Sequence, residues 1–124
     1  MENKTSKKVL VVGASPNSER YSYRATLLLA KKGHEVIPFG TRKGSIGLHK
    51  IINEFPSSLP IHTVTMYMNS ERQKALHDQI LMLQPKRIIF NPGAESEELM
   101  QKANKQGIET ENACSLVMLN IGVF

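Results

Sequence analysis

Short apolar runs alternate with amphipathic stretches along the chain. The run KVLVV at residues 8–12 is continuous and β-branched, and Gly13 follows it, which is typical of a strand buried on both faces of a parallel sheet. Residues 22–33 have helical spacing, and HEVIPFG at residues 34–40 predicts a second strand. Strand, helix and strand within about 30 residues indicate a right-handed βαβ unit.

The first predicted helix has signals at both ends. Ser22 or Ser18 is the expected N-cap, and Gly33 follows the last turn as an expected C-terminal signal. The positions expected to face the core are Tyr23, Leu27 and Ala30.

The same alternation continues to the end of the chain. Further strands are predicted at residues 61–68, 86–90 and 108–113, and further helices at 69–85, 95–107 and 114–121. In the helix at 69–85, Ser70 and Gln73 have the spacing of a capping box. The segment at 41–60 is expected to be irregular, with room for one short helix.

Strands that alternate with helices predict an α/β fold: a doubly wound, mostly parallel five-stranded sheet with helices on both faces. No repeat or linker divides the sequence, so a single domain over residues 1–124 is expected. Ligands of such sheets bind at the carboxyl ends of the strands. This rule selects four loops: Gly13–Asn17, Gly40–Gly44, Tyr67–Asn69 and Asn91–Glu95.

The first loop, GASPN, is suited to a phosphate group. Gly13 allows close approach of the backbone, and the following helix offers unpaired N–H groups with a partial positive charge. The loop lacks the G-x-G-x-x-G pattern of dinucleotide-binding proteins. An ordinary tight turn therefore remains the alternative.

The second loop carries Arg42 and Lys43 where NAD-binding folds usually place an acid. Two cations favour an additional ribose phosphate, as in coenzyme A or NADP. The fourth loop leads into Glu95, Glu97 and Glu98, which would repel a phosphate. Asn91, Pro92 and Gly93 are therefore expected to contact a neutral, amide-bearing part of the ligand, such as pantetheine.

Composition supports an anionic ligand. The net charge is +5, and residues 20–50 hold seven Lys or Arg against one acid, a local charge of +6. The apolar runs are too short for a membrane span, and MENKTSKK lacks the apolar region of a secretory signal. The single cysteine, Cys114, excludes an internal disulfide. These features favour the cytoplasm.

Two segments, VVGASPNSERYSYRATLLLAKKGHEVIPFG and PKRIIFNPGAESEELMQKANKQGIETENACSLVML, resemble the small single-domain CoA-binding proteins. Their Rossmann-like fold is similar to the N-terminal domain of the succinyl-CoA synthetase α subunit. The resemblance implies a diphosphate contact by Gly13, Ala14, Ser15 and Asn17 and a basic residue, Lys43, near the adenosine phosphates. It also implies that Tyr67, Met68, Asn91, Pro92 and Gly93 line the groove for adenine or pantetheine.

The resemblance departs at the end of the second strand, where many relatives have IPVNP and this chain has IPFGTRKG. The predicted cofactor-binding residues also include Gly40 and Arg42, and the expected ligand is coenzyme A or an acyl-CoA. A partner enzyme subunit and a homo-oligomer both stay open.

No catalytic constellation is evident. The four histidines have no metal-ligand spacing, and His77 is expected to face solvent. Cys114 is either a small buried hydrophobic residue or a thiol near the sulfur end of the ligand. The alternatives to a non-catalytic CoA-binding protein are an NADP-dependent oxidoreductase and a nucleic-acid binder. Few aromatic residues (four Phe, three Tyr, no Trp) argue against the latter.

Overall fold

A computed structural model describes residues 6–124 of the chain. In chain order the elements are β1 (Lys8–Val12), α1 (Tyr21–Lys31), β2 (Glu35–Phe39), β3 (Ser45–Ile46), β4 (His49–Lys50), β5 (Thr63–Met66), α2 (Ser70–Gln73), a 3-10 turn (Lys74–Leu76), α3 (His77–Met82), β6 (Arg87–Phe90), α4 (Glu97–Lys105), β7 (Glu109–Asn112) and α5 (Ser115–Ile121).

Five of the strands form one parallel sheet in the order β2-β1-β5-β6-β7. Val12, at the end of β1, pairs with Phe39 on one side and with Met66 on the other. The chain thus builds outward from β1 in both directions, and the strand order reverses between β1 and β5. In open α/β sheets such a reversal opens a crevice at the carboxyl ends of the strands.

An apolar core lies on each face of this sheet. Alternate residues of a strand point to opposite faces. Leu10 and Val12 therefore pack with α3 and α4, whereas Val9 and Val11 pack with α1 and α5. Each of these four side chains is fully buried, which is worth about 1.5–3 kcal/mol per side chain. The predicted doubly wound, Rossmann-like α/β fold with helices on both faces is confirmed.

Helix α1 begins and packs differently from the sequence prediction. Arg20 occupies the N-cap position, so the prediction of Ser18 or Ser22 as the cap is wrong. Of the three positions expected to face the core, Tyr23 and Ala30 are half-buried and pack against it, whereas Leu27 is 41% exposed. The buried positions are Ser22, Ala25, Thr26 and Leu29. Polar residues can face the core here because the Thr26 hydroxyl donates to the Ser22 carbonyl at 2.8 Å.

The helix predicted at residues 69–85 exists but is broken into α2, the 3-10 turn and α3. Asn69 is the N-cap, and its Oδ1 accepts a hydrogen bond from the Arg72 N–H at 2.8 Å. The predicted capping box is wrong, because Gln73 is fully buried and its side chain donates to two loop carbonyls instead.

Residues 41–60 contain a small antiparallel hairpin, β3 with β4, where the sequence predicted an irregular segment with room for one short helix. Ile46 and Ile51 anchor this hairpin in the core beside β1. A parallel bridge between Phe39 and Ile52 then holds the segment against the end of β2. Across residues 6–124, no helix combines the length and apolar character that crossing a membrane requires.

Candidate functional site

A cavity of about 450 Å³ opens at the carboxyl ends of β1 and β5, where the strand order reverses. Seven of the twelve predicted site residues line it: Gly13, Ala14, Ser15, Arg42, Tyr67, Met68 and Pro92. Six lining residues were not predicted: Glu19, Arg20, Tyr21, Ser22, Thr41 and Arg72. The cavity thus joins the loops after β1, β2, β5 and β6 to the first turn of α1.

Five predicted site residues lie outside the lining. Asn17 shapes the first loop: its Oδ1 accepts from the Glu19 N–H at 2.9 Å, and its own N–H donates to the Ser15 Oγ at 3.1 Å. Lys43 is exposed next to Arg42, and Gly93 is exposed with a φ of 92°. Gly40 lies against the Ala14 carbonyl, and the Asn91 side chain is hydrogen-bonded within the fold.

Two glycines allow the loops around the cavity to come together. A Cβ on Gly40 would lie 2.1 Å from the Ala14 carbonyl oxygen, and a Cβ on Gly13 would lie 3.0 Å from the Met68 nitrogen. Gly13 also has a φ of +100°, which L side chains rarely adopt. The Phe39 carbonyl accepts hydrogen bonds from the Gly13 and Ala14 N–H groups, both at 2.9 Å. These two N–H groups therefore serve the fold.

The first turn of α1 forms part of the cavity wall. Tyr21 and Ser22 line the cavity as the first two helical residues. Arg20 precedes them in an extended conformation, and within the described part of the chain its side chain makes no capping hydrogen bond. The first N–H groups of a helix have no intrahelical partner and carry a partial positive charge. A phosphate group can accept hydrogen bonds from these N–H groups, and its negative charge matches their partial positive charge.

Three arginines and one glutamate contribute the charge of the lining: Arg20, Arg42, Arg72 and Glu19. All four are exposed, so an incoming anion can reach them. Arg42 comes from the predicted loop after β2. Arg72 follows β5 within the first turn of α2. The loop predicted after β5 ends at Asn69, just before α2 begins, so the prediction did not reach Arg72.

Asn91 is fully engaged beneath the cavity. Its Nδ2 donates to the Thr65 Oγ1 at 2.8 Å and to the Met66 carbonyl at 2.9 Å, and its Oδ1 accepts from the Ser115 N–H at 2.8 Å. Asn91 is 1% exposed. These contacts connect the end of β6 to β5 and to the start of α5. Both polar atoms of the Asn91 side chain are therefore used in hydrogen bonds within the protein.

Tyr67, which lines the cavity, lies near Cys114 and near the Thr65 and Ser115 hydroxyls. Burial raises the pKa of Tyr67 well above its usual range, and the nearby Cys114 adds to the shift, while the Thr65 and Ser115 hydroxyls oppose it. The Tyr67 hydroxyl has no partner in hydrogen-bonding geometry within residues 6–124. Cys114 is a half-buried free thiol at the N-cap of α5, outside the cavity lining.

His77 is 3% exposed, so the expectation that it faces solvent is wrong. Its Nε2 lies 3.2 Å from the Gln73 Oε1, and its Nδ1 lies 4.0 Å from the Glu98 Oε2. Burial lowers the pKa of His77, and the Glu98 carboxylate opposes this shift. Among residues 6–124 no three His, Cys, Asp or Glu side chains are grouped to hold a metal ion.

Comparison with known proteins identifies the family. A family model described as a CoA binding domain matches residues 7–120. The chain therefore belongs to the CoA-binding domain family, as its sequence resemblance implied. No curated protein matches the chain.

Several solved structures share the fold. One, described as the crystal structure of an uncharacterized protein, is 45% identical with a TM-score of 0.94, covering 98% of this chain and 100% of its own. A conserved hypothetical protein from Pyrococcus furiosus is 27% identical with a TM-score of 0.76, covering 90% and 97%. A Thermus thermophilus structure, 16% identical, has a TM-score of 0.83, covers 96% and 91%, and shows the fold alone.

Proposed function

We propose that this chain works as one domain that binds coenzyme A or an acyl-CoA in the cavity between β1 and β5, without turning it over. The family is one of CoA-binding domains. The observation that carries the proposal is that the first residues of α1, Tyr21 and Ser22, line the cavity together with Arg20 and Arg72. A diphosphate is the part of CoA that suits this position.

The adenosine 3′-phosphate is proposed to contact Arg42. This residue lies on the loop after β2, across the cavity from Arg72. Guanidinium groups bind phosphate through paired N–H donors, which gives a contact stronger than that of a neutral donor. Lys43 is exposed beside Arg42 and would add charge at longer range.

The neutral parts of the ligand are proposed to lie against Tyr67, Met68 and Pro92. These residues follow β5 and β6 and form the side of the cavity away from Arg42. Asn91 supports this side from below through its hydrogen bonds to Thr65 and Met66. The amides and methyl groups of pantetheine, or the adenine ring, fit such a mixed surface.

A binding role without turnover suits the ionisable groups near the cavity. The raised pKa of Tyr67 keeps its hydroxyl protonated at neutral pH, so it is a poor base. Glu19 is exposed, and three arginines line the cavity together with it. The protein would then act as a carrier, a sensor or a subunit of an acyl-CoA enzyme. We further propose the cytoplasm, since a single cysteine suits a reducing compartment.

Isothermal titration with CoA tests the proposal directly. Binding of CoA with one-to-one stoichiometry, and thermal stabilisation by CoA or acetyl-CoA greater than that by NADP, would support it. Stabilisation by NADP alone would favour the oxidoreductase alternative. The absence of any CoA binding by the folded protein would overturn the proposal.

A further inference from the structure

Gln73 is a fully buried polar residue that connects two of the loops around the cavity. Its Nε2 donates to the Met68 carbonyl at 2.8 Å and to the Ala94 carbonyl at 3.0 Å. Met68 belongs to the loop after β5, and Ala94 belongs to the loop after β6. One amide group thus joins two loops that the sheet itself leaves free beyond the ends of their strands.

His77 fixes the direction of this amide. Both N–H bonds of the Gln73 side chain point to carbonyl oxygens, so its Oε1 must face the His77 Nε2, 3.2 Å away. The Oε1 can only accept a hydrogen bond, and the His77 Nε2 therefore carries the proton. Rotating the amide would place the Oε1 against two carbonyl oxygens. The arrangement consequently has one favourable orientation.

The hydrogen bonds of Gln73 join the two loops directly behind the cavity wall. Met68 lines the cavity, and Pro92 lines it two residues before Ala94. Neither residue belongs to the regular hydrogen-bond ladder of the sheet, which ends at Met66 and Phe90. The spacing between these two wall residues therefore depends on how the loops are held together.

We propose that Gln73 is a positioning residue for the ligand cavity. It holds the Met68 and Pro92 sides of the wall at the separation that the bound ligand requires. This inference rests on the proposed CoA-binding function. Gln73 does not line the cavity, so it acts only through the two loops.

The test compares CoA affinity in Gln73→Met with that in a core variant of equal stability. Methionine keeps the length of the side chain but leaves both carbonyls without their donor. Ile80 is also fully buried, on α3, and belongs to the apolar core without lining the cavity. Of Ile80→Val and Ile80→Ala, the one whose unfolding temperature matches that of Gln73→Met serves as the control.

Titrations well below the unfolding temperature separate positioning from stability, because a purely structural role lowers stability but leaves the affinity of the folded protein unchanged. We expect Gln73→Met to weaken CoA binding about tenfold or more, because the two loops lose both hydrogen bonds that hold them together, and the Ile80 control to bind as the wild type does. Gln73→Asn, whose shorter amide cannot reach both carbonyls, gives the same test if Gln73→Met does not fold.

Two negative results have different meanings. If the wild type binds CoA and the Gln73 variants bind it equally well, the positioning role is wrong while the proposed function stands. If the wild type does not bind CoA, the proposed function is wrong and the positioning role falls with it.

Discussion

Adding one methyl group at Gly40 perturbs the wall of the cavity without touching any charge. The new Cβ of Gly40→Ala would lie 2.1 Å from the Ala14 carbonyl oxygen, and real Cβ contacts essentially never fall below 3.0 Å. The two loops must therefore separate by about 1 Å at this point. Ala14 lines the cavity, and its N–H donates a hydrogen bond to the carbonyl of Phe39, the residue before Gly40. The shift therefore changes the wall of the cavity.

The cost comes from overpacking alone, because Gly40 is not among the glycines with positive φ. Overpacking a well-packed site costs about 1–3 kcal/mol. For a domain of this size each kcal/mol lowers the unfolding temperature by about 4 °C, so a fall of roughly 4–12 °C is expected. CoA affinity should fall about tenfold or more, since an error of about 1 Å in a binding site can break its hydrogen bonds.

Gly107→Ala is the matched control for this experiment. Gly107 has a φ of +81° and no atom within 4 Å of its added Cβ, so alanine strains the backbone without a clash. This strain costs about 1–2 kcal/mol. Gly107 follows α4, outside the cavity lining. Thermal denaturation should show that both variants are destabilised. Titration should show that CoA affinity falls in Gly40→Ala alone. Unchanged CoA affinity in a folded Gly40→Ala protein would refute this reasoning.

Three further predictions address separate parts of the site. Ser15→Trp should leave the unfolding temperature within a few degrees, because Ser15 is half-exposed, and should block CoA; CoA binding by this variant would place the ligand elsewhere. Arg42→Glu should weaken CoA about tenfold more than dephospho-CoA, and more than Lys43→Glu does, as titrations would show; equal losses for both ligands would exclude a 3′-phosphate contact at Arg42. The lowered pKa of folded His77 means that the unfolded chain takes up a proton first as the pH falls below 6.5. Stability should therefore decrease below that pH, and urea unfolding should show a smaller decrease in His77→Gln; identical pH profiles would contradict a neutral buried His77.

Strands β1, β2, β5 and β6 of the sheet could be predicted because each lies in a short, largely apolar run bounded by glycine or polar residues. The run at 8–12 became β1 with the predicted bounds, and even the polar segment at 108–113 gave β7. The hairpin within residues 41–60 was missed because its strands have two residues each, too few to show a period. Part of the buried face of α1 was missed because Ser22 and Thr26 are polar by type, although the Thr26 hydroxyl finds a local partner in the Ser22 carbonyl.

The site could be predicted only as far as the edge of the sheet. The rule for parallel strands selected the loops that hold Ser15, Arg42 and Met68, all in the lining. Asn91 was expected to face the ligand because its amide suits one. Its partners Thr65 and Ser115 lie 26 and 24 residues away in sequence, so only the folded chain shows that this amide is occupied.

The decisive experiment is a crystal structure of the protein soaked in CoA. We expect the diphosphate at the N–H groups of Tyr21 and Ser22, with the 3′-phosphate at the Arg42 guanidinium. An empty cavity at a saturating concentration of CoA, or CoA bound at another face of the protein, would contradict this expectation.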